Sequence, residues 1–456
     1  MSTVAPFGWW QIARLGLVQA CLGSMVVVAT STLNRIMVVE MAMPALVPGL
    51  LVGLHYVVQM VRPRMGFGAD QGRRCTPWMF AGVAVLALGG TLAAWGTTHM
   101  ADDATAGLLI CMLAFACIGL GVSACGTSLL ALMAKRVPED MRAPAATTVW
   151  VMMIVGFAVT AVTVGKLIEP YSHARLLQVT AGLGVLICGL TALAVWGLEP
   201  RRSSGLSAPA DSHVPERRPG LADFRSALRD VWAEPQARLF TGFVFVSMLA
   251  YSLQDLILEP FAGAVFGMSP GHSTQLSGLH HSGVLGGMLA VAVAGSRRVA
   301  GRLGSVQSWM VGGCLLSAVA MAGLTGAGLQ NGAWPLQANV VMLGIANGAF
   351  SIAAIATMMR LANAGEGQSQ GTRMGLWGAA QALAFGLGGV LGTALSDLAH
   401  RWLPSTGSAY ACVFAFEAGL FIVSALCALR VGRLDQPHLR AQPRWREPTP
   451  TSEMPS

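Results

Sequence analysis

The sequence is poor in charge and offers little for catalysis. Only 11% of its 456 residues are Asp, Glu, Lys or Arg, whereas soluble proteins average about 25%. Outside its apolar runs it has no glycine-rich phosphate loop, no set of metal ligands and no nucleophile beside a base. The nine cysteines form no Cys-x-x-Cys pair, and their expected role is apolar packing. These absences exclude an ordinary soluble domain and argue against an ATP-driven pump or an enzyme.

Long apolar runs take the place of the missing charge. Runs of this length in a bilayer must be helices, because no water is present to satisfy open backbone groups. The sequence therefore predicts an all-α polytopic membrane protein with twelve transmembrane helices in two six-helix pseudo-symmetric halves. The predicted spans are 13–38, 44–61, 78–98, 105–133, 144–168, 175–197, 238–259, 274–294, 306–327, 335–361, 373–396 and 408–430.

A polar stretch divides the chain in two. Residues 198–237 are rich in proline and in charge of both signs, which is typical of a linker. The predicted organisation is a lead at 1–12, a six-helix half at 13–197, the linker at 198–237, a second half at 238–430 and a disordered tail at 431–456.

The distribution of Lys and Arg predicts the orientation. With the N-terminus in the cytoplasm, all Lys and Arg except Arg35, Lys166, Arg175 and Arg401 fall on the cytoplasmic side. We therefore expect a multi-pass membrane protein with both termini cytoplasmic. The net charge of +8 follows from this topology and does not indicate a nucleic-acid partner.

Charged residues inside the seventh span mark a candidate site. Gln254, Asp255 and Glu259 interrupt an apolar helix that we expect to end at Pro260. Asp255 and Glu259 are four residues apart, so both carboxylates are predicted to lie on one helical face. An ionisable residue in a membrane span is a functional-site hypothesis by default.

The first span carries a matching set in the stretch from Thr32 to Glu40, in which Arg35 and Glu40 are candidate site residues. Residues 33–37 align by eye with residues 253–257, so each half has an amide followed by a charge, Arg35 in one and Asp255 in the other. We expect Arg35 and Asp255 to pair across a pseudo-two-fold axis. The alternative is that each charge snorkels to lipid headgroups.

Histidines and one glycine-rich span supply further candidates. His55 lies in the middle of the second span, and His280 and His281 lie near the start of the eighth, its duplicate. A neutral imidazole can ligate the magnesium of a chlorophyll-type pigment, although a helix–helix hydrogen bond is the commoner role. In the eleventh span, small residues around Trp377 and Gln381 allow close contact with a helix or a flat ligand. Glu417 in the twelfth span is another candidate that faces the inside of the bundle. For Trp377, Gln381 and Glu417, the alternative role is helix packing.

Two sets of motifs resemble known families. The loop after the second span resembles the cytoplasmic latch motif of the major facilitator superfamily, with Gln71 where an Arg is usual; the matching residues are Gly66, Asp70, Gly72, Arg73 and Arg74. The alternative is a charged turn that only obeys the positive-inside rule. Within that superfamily, residues 254–269, 375–389 and 32–40 resemble the seventh, eleventh and first spans of the PucC/LhaA-type bacteriochlorophyll delivery family. The resemblance covers about 14–430.

The resemblance implies a membrane assembly factor for photosynthetic light-harvesting complexes that binds or delivers bacteriochlorophyll. Bacteriochlorophyll or a related tetrapyrrole would be its ligand or cargo, and antenna polypeptides and pigment-synthesis enzymes would be its partners. The resemblance also implies a location in the bacterial inner membrane, in its photosynthetic intracytoplasmic part. Asp255, Glu259 and Arg35 would orient polar substituents, and His280 or His281 would bind the magnesium. Two alternatives stay open: a proton-coupled transporter of a small solute, and a chaperone of antenna polypeptides that binds no pigment.

Overall fold

A computed structural model describes residues 7–60, 74–199, 229, 232–294, 304–330, 334–363 and 370–435. All regular structure in these ranges is helical, as predicted. A second helix, Leu46–Gln59, is apolar but short. The other eleven are long and apolar enough to cross a membrane: Trp9–Glu40, Cys75–His99, Ala104–Met133, Pro144–Ile168, His173–Val195, Pro235–Phe266, Pro270–Ala294, Val306–Leu329, Leu336–Leu361, Leu376–Trp402 and Thr406–Gly432. We number these twelve helices as spans in chain order.

The second span is shorter than the predicted 44–61. The chain turns sharply between the first two spans, where Ala42 has a φ of 51°, and helix resumes only at Leu46. At 1.5 Å per residue, the 14 residues of Leu46–Gln59 cover about 21 Å, less than the hydrocarbon thickness of about 30 Å. Residues 61–73, which follow, lie outside the described residues.

The apolar side chains form two main cores, one in each half of the chain. The first core is built from the first six spans, and the second from the last six. Leu256 of the seventh span is the exception, because it packs into the first core. The predicted domain boundaries stay a prediction, since most of the linker and of the tail lies outside the described residues.

The two halves meet along two equivalent pairs of spans. The second span packs against the eleventh, and the eighth, its duplicate, packs against the fifth. Small residues permit both approaches: a Cβ added at Gly49 would lie 2.1 Å from the Thr393 hydroxyl, and one added at Gly271 would lie 2.3 Å from the Gly165 carbonyl. Loops that follow odd-numbered spans lie at one end of the bundle, which we call the distal end.

Candidate functional site

The seventh span is broken at the point where its polar residues lie. One helix ends at Asp255 and a second runs from Leu258 to Phe266, so the predicted continuous helix ending at Pro260 is wrong. Pro260 lies inside the second helix, and because it has no N–H it cannot donate to the Leu256 carbonyl four residues earlier. Asn34 of the first span donates its Nδ2–H to that carbonyl instead, at 2.8 Å.

Glu259 lies in a cluster of hydroxyl groups between the first and eighth spans. The side chain is buried, and the Ser277 hydroxyl donates to its Oε1. Thr274 donates to Oε2 at 3.5 Å and also lies 3.0 Å from the Thr32 hydroxyl. Ser31 donates to the Ser277 hydroxyl at 3.4 Å. Both halves of the chain therefore contribute to the surroundings of one carboxylate.

Arg35 pairs with Glu40 rather than with Asp255, so the predicted cross-half ion pair is wrong. Residues Ile36–Glu40 are π-helical, and in a π-helix residues five apart lie on the same face. Arg35 does reach the other half: its Nη2 donates to the Met268 carbonyl at 2.6 Å. Its guanidinium packs against Gly263. A Cβ added at Gly263 would lie 2.9 Å from Nη2, so a larger residue there would collide with the guanidinium.

Asp255 and Glu259 do not share a face, because the helix break separates them. Asp255 is half-buried and interacts electrostatically with Tyr251 and with Glu417 of the twelfth span. Glu417 is fully buried, and neither of its carboxylate oxygens has a hydrogen-bond partner within the described residues. The second half thus holds a buried carboxylate that interacts electrostatically with a second carboxylate, Asp255.

The two adjacent histidines have different surroundings. The Nε2 atom of His280 accepts from the amide of Gln254 at 3.5 Å and from the amide of Asn347 at 3.4 Å, which ties this ring into helix packing. His281 donates its Nδ1–H to the Ser277 carbonyl at 2.8 Å. This bond fixes the tautomer and leaves the lone pair on Nε2, as in metal-ligating histidines. His281 is half-buried, so it fits a ligand role better than His280.

Aromatic and apolar groups surround His281. Phe157 of the fifth span meets the His281 ring edge-on with centroids 5.0 Å apart, and the His280 ring lies 5.3 Å away. Ile154 and Met288 belong to a small apolar cluster that the fifth and eighth spans form beside it. The imidazole therefore lies where the two halves meet, among groups that suit a flat apolar ligand.

The other predicted site residues lie apart from this cluster. His55 is buried in the first half, where its Nε2 lies 2.7 Å from the Gln59 amide on the same helix. Trp377 is 1% exposed and packs edge-on against Phe240, near the opposite end of the seventh span from the break. Gln381 is half-buried and its amide contacts a methionine sulfur. The structure places these three in helix packing.

Most of the predicted latch motif falls outside the described residues, namely Gly66, Asp70, Gly72 and Arg73. Arg74 is described, and its Nη2 donates to the backbone carbonyl of Glu199 at 3.4 Å. The Glu199 carboxylate accepts from the backbone N–H groups of Cys75 and Thr76 at the start of the third span. The motif's final arginine therefore adjoins a carboxylate that caps a helix N-terminus.

Comparison with known proteins identifies the family. The sequence profile of the PUCC protein family matches residues 32–435. The chain belongs to the PUCC protein family. A Rhodobacter capsulatus protein named "Bacteriochlorophyll synthase 44.5 kDa chain" is 48% identical over 426 residues, which cover 93% of this chain and 96% of that one. "Protein PucC" of Cereibacter sphaeroides is 27% identical over 455 residues, which cover 92% of this chain and 91% of that one.

Solved structures establish the fold of this PUCC family member. The peptide transporter POT in complex with sulfate aligns with a TM-score of 0.67 at 14% identity, over 95% of this chain and 98% of that one. The nucleoside transporter NupG aligns with a TM-score of 0.61 at 15% identity, over 93% of this chain and 98% of that one. The predicted major facilitator superfamily fold is confirmed. At these identities, the likeness concerns the fold alone.

Two carboxylates that the sequence analysis did not single out join the halves of this PUCC protein at its distal end. Asp397 of the eleventh span accepts from the backbone N–H groups of Ala45 and Leu46, each at 2.8 Å, at the start of the second span. Glu169, after the fifth span, accepts from the N–H of Gly271 at 3.0 Å, at the start of the eighth. Each carboxylate lies at a positive helix terminus of the opposite half. Internal duplication was the available signal, because the spans involved are duplicates of one another.

Proposed function

We propose that this PUCC family member is a membrane assembly factor for light-harvesting complexes that binds bacteriochlorophyll and hands it over. The family membership and the pigment in the printed name of the 48% identical relative support this proposal. The name of that relative also contains the word synthase. We infer handling of the pigment without synthesis, because the fold is shared with transporters and carries its polar groups between two helical halves.

The observation that carries the proposal is the geometry of His281. Its Nδ1–H is held by a backbone carbonyl, which leaves Nε2 as a ligand for a metal. Bacteriochlorophyll would bring a magnesium ion with its ring ligands, and His281 would hold that ion through Nε2. The aromatic edge of Phe157 and the apolar cluster beside it would then contact the macrocycle.

Ser277 links the proposed ligand to the polar cluster. Its carbonyl accepts from His281, and its hydroxyl donates to Glu259. A change in the hydrogen bonds of Glu259 would therefore shift the helical turn at Ser277, which orients the His281 imidazole. Since Ser31 also contacts Ser277, separation of the first and eighth spans would disturb both groups together. This provides a route from movement of the halves to release of the pigment.

The test is the absorption spectrum of the protein purified in mild detergent from a phototrophic host. We expect bound bacteriochlorophyll in the wild type, its loss from this site in His281→Ala, and its retention in His280→Ala. His173→Ala is a matched control, because His173 is an exposed distal-end histidine. A colourless, well-folded wild-type protein would refute pigment binding. Co-purified antenna polypeptides in that colourless preparation would support a chaperone that binds no pigment.

A second function, proton-coupled transport of a small solute, is favoured by one observation. Glu417 is fully buried without a hydrogen-bond partner among the described residues, and Asp255 interacts with it electrostatically. Buried carboxylates of this kind serve as proton carriers in secondary transporters. Uptake of a solute into vesicles that depends on a proton gradient, and is lost in Asp255→Asn, would establish this function in place of the first.

A further inference from the structure

A cleft at the distal end lies away from the cluster around His281. Its volume is about 880 Å³, and it opens at the distal end between the turn that joins the first two spans and the ends of the eleventh and twelfth. Its walls are mainly apolar, with Val38, Met43 and Leu46 on one side and Leu398 on the other. Leu398 is 52% exposed, so the rim of the cleft presents apolar surface.

His400 supplies the main chemical feature of this cleft. It lines the cavity and donates its Nδ1–H to the Ser396 carbonyl at 2.7 Å. The bond repeats that of His281 with Ser277: a histidine is held by the carbonyl of the serine four residues earlier, and the lone pair is left on Nε2. The His400 ring is exposed, and Tyr410 packs edge-on beneath it with centroids 4.9 Å apart.

The surroundings restrict the kind of ligand that His400 could take. Among the described residues no group of three or more His, Cys, Asp or Glu could hold a bare metal ion. A metal that arrives with its other ligands already in place needs only this one imidazole from the protein. Apolar walls and a volume of about 880 Å³ suit a metal complex with a large flat apolar body. Arg401, which also lines the cleft, can donate to carbonyl or ester oxygens at the edge of such a ring.

We propose that this cleft is a second binding site, in which His400 is the axial ligand of a magnesium tetrapyrrole taken from the surrounding membrane. The inference rests on the proposed function and adds a distinct location to it. Asp397 lies in the same wall and caps the start of the second span, so the occupant would lie against the contact that holds the two halves together at this end.

Paired titrations of the full-length protein in lipid nanodiscs test this proposal. The probes are bacteriochlorophyll a and bacteriopheophytin a, which share the macrocycle and differ in the magnesium. We expect two bacteriochlorophylls per protein, and in His400→Ala a loss of one of them through at least tenfold weaker binding. Bacteriopheophytin affinity should be unchanged in the same variant, because no metal is present for the imidazole to bind. In His400→Gly, added free imidazole should restore bacteriochlorophyll binding.

The control is His99→Ala, a distal-end histidine stacked on Trp95 and away from the cleft, which should bind both probes as the wild type does. Equal bacteriochlorophyll binding by His400→Ala and wild type would overturn the proposal. If one pigment binds and is lost only in His281→Ala, the proposed function stands and the second site fails. If binding is lost only in His400→Ala, the second site stands and the assignment of His281 fails. A wild type that binds neither probe would overturn both.

Discussion

Removing the carboxylate of Asp397 should open the distal end of the protein. Asp397 accepts two backbone N–H groups from the first turn of the second span, and it thereby joins the eleventh span to the other half. Loss of a helix N-cap costs about 0.5–2 kcal/mol, and a hydrogen bond to a charged group contributes about 1.5–3 kcal/mol. Because Asp397 is half-buried and partly solvated, we take about 2 kcal/mol for the two bonds together.

A loss of about 2 kcal/mol shifts the equilibrium toward the open distal end by roughly 30-fold, since about 1.4 kcal/mol corresponds to a factor of ten. The reporter is a single cysteine, Thr32→Cys, in a chain whose nine native cysteines have been replaced. Thr32 is fully buried between the first and eighth spans, so a membrane-impermeant maleimide reaches this position only when the halves separate. We expect Asp397→Ala to raise the labelling rate at this cysteine by roughly 30-fold.

The controls separate opening from unfolding. Asp102→Ala removes an exposed carboxylate in another distal loop and should leave the labelling rate unchanged. Asp397→Asn keeps one oxygen acceptor and should give a smaller increase than Asp397→Ala. The equivalent change Glu169→Ala should resemble Asp397→Ala, because Glu169 caps the eighth span in the same way. Unchanged labelling in Asp397→Ala, with full labelling after denaturation, would refute the role of this carboxylate in closing the distal end.

Three further predictions concern packing, charge and pH. Gly287→Ala should lower the thermal unfolding midpoint, because its Cβ would lie 2.1 Å from a backbone carbonyl of the tenth span and overpacking costs about 1–3 kcal/mol; Gly286→Ala, with nothing within 4 Å, should not. Arg35→Glu should reduce the yield of folded protein, and adding Glu40→Arg should restore much of it; no recovery would count against their ion pair. Burial, and then the charge of Glu40, raise the pKa of Tyr171 from 10.0 to about 12, so its contribution to stability is complete below about pH 10 and lost as the pH rises through about 12. The stability of Tyr171→Phe should therefore fall less than that of the wild type as the pH rises from about 10 through about 12. Identical alkaline unfolding curves for the two proteins would contradict this prediction.

Hydropathy predicted the fold well, because membrane spans are long, apolar and helical by necessity. The all-helical fold of the major facilitator superfamily is confirmed, and the main departure is the second span. There the apolar run continues through Pro44, whereas the helix begins only at Leu46, after the turn at Ala42. Apolar character extends beyond the helical residues at this point, so composition alone overestimates the length of the span.

The site was harder to predict, because its geometry depends on contacts between distant residues. Spacing by four implies a shared face only if the helix is continuous, and the break before Leu258 removes that condition. The contact that satisfies the break comes from Asn34, 222 positions away in the chain. His280 and His281 are neighbours in sequence, and only their tertiary hydrogen bonds distinguish them. Asp397 is easily overlooked, because polar residues are common at the ends of spans.

The break in the seventh span also bears on how the protein moves. The segment after the break bonds to the first half, through Asn34 on the Leu256 carbonyl and Arg35 on the Met268 carbonyl. Its Phe261 nevertheless packs edge-on against Phe414 of the twelfth span, in the second core. The segment before the break, Pro235–Asp255, packs with the eleventh and twelfth spans of the second half. If the halves rock, the short helix Leu258–Phe266 is therefore anchored to both of them, and the break gives it a hinge. Glu259 lies on this shared helix, whereas Asp255 ends the segment that is packed in the second half.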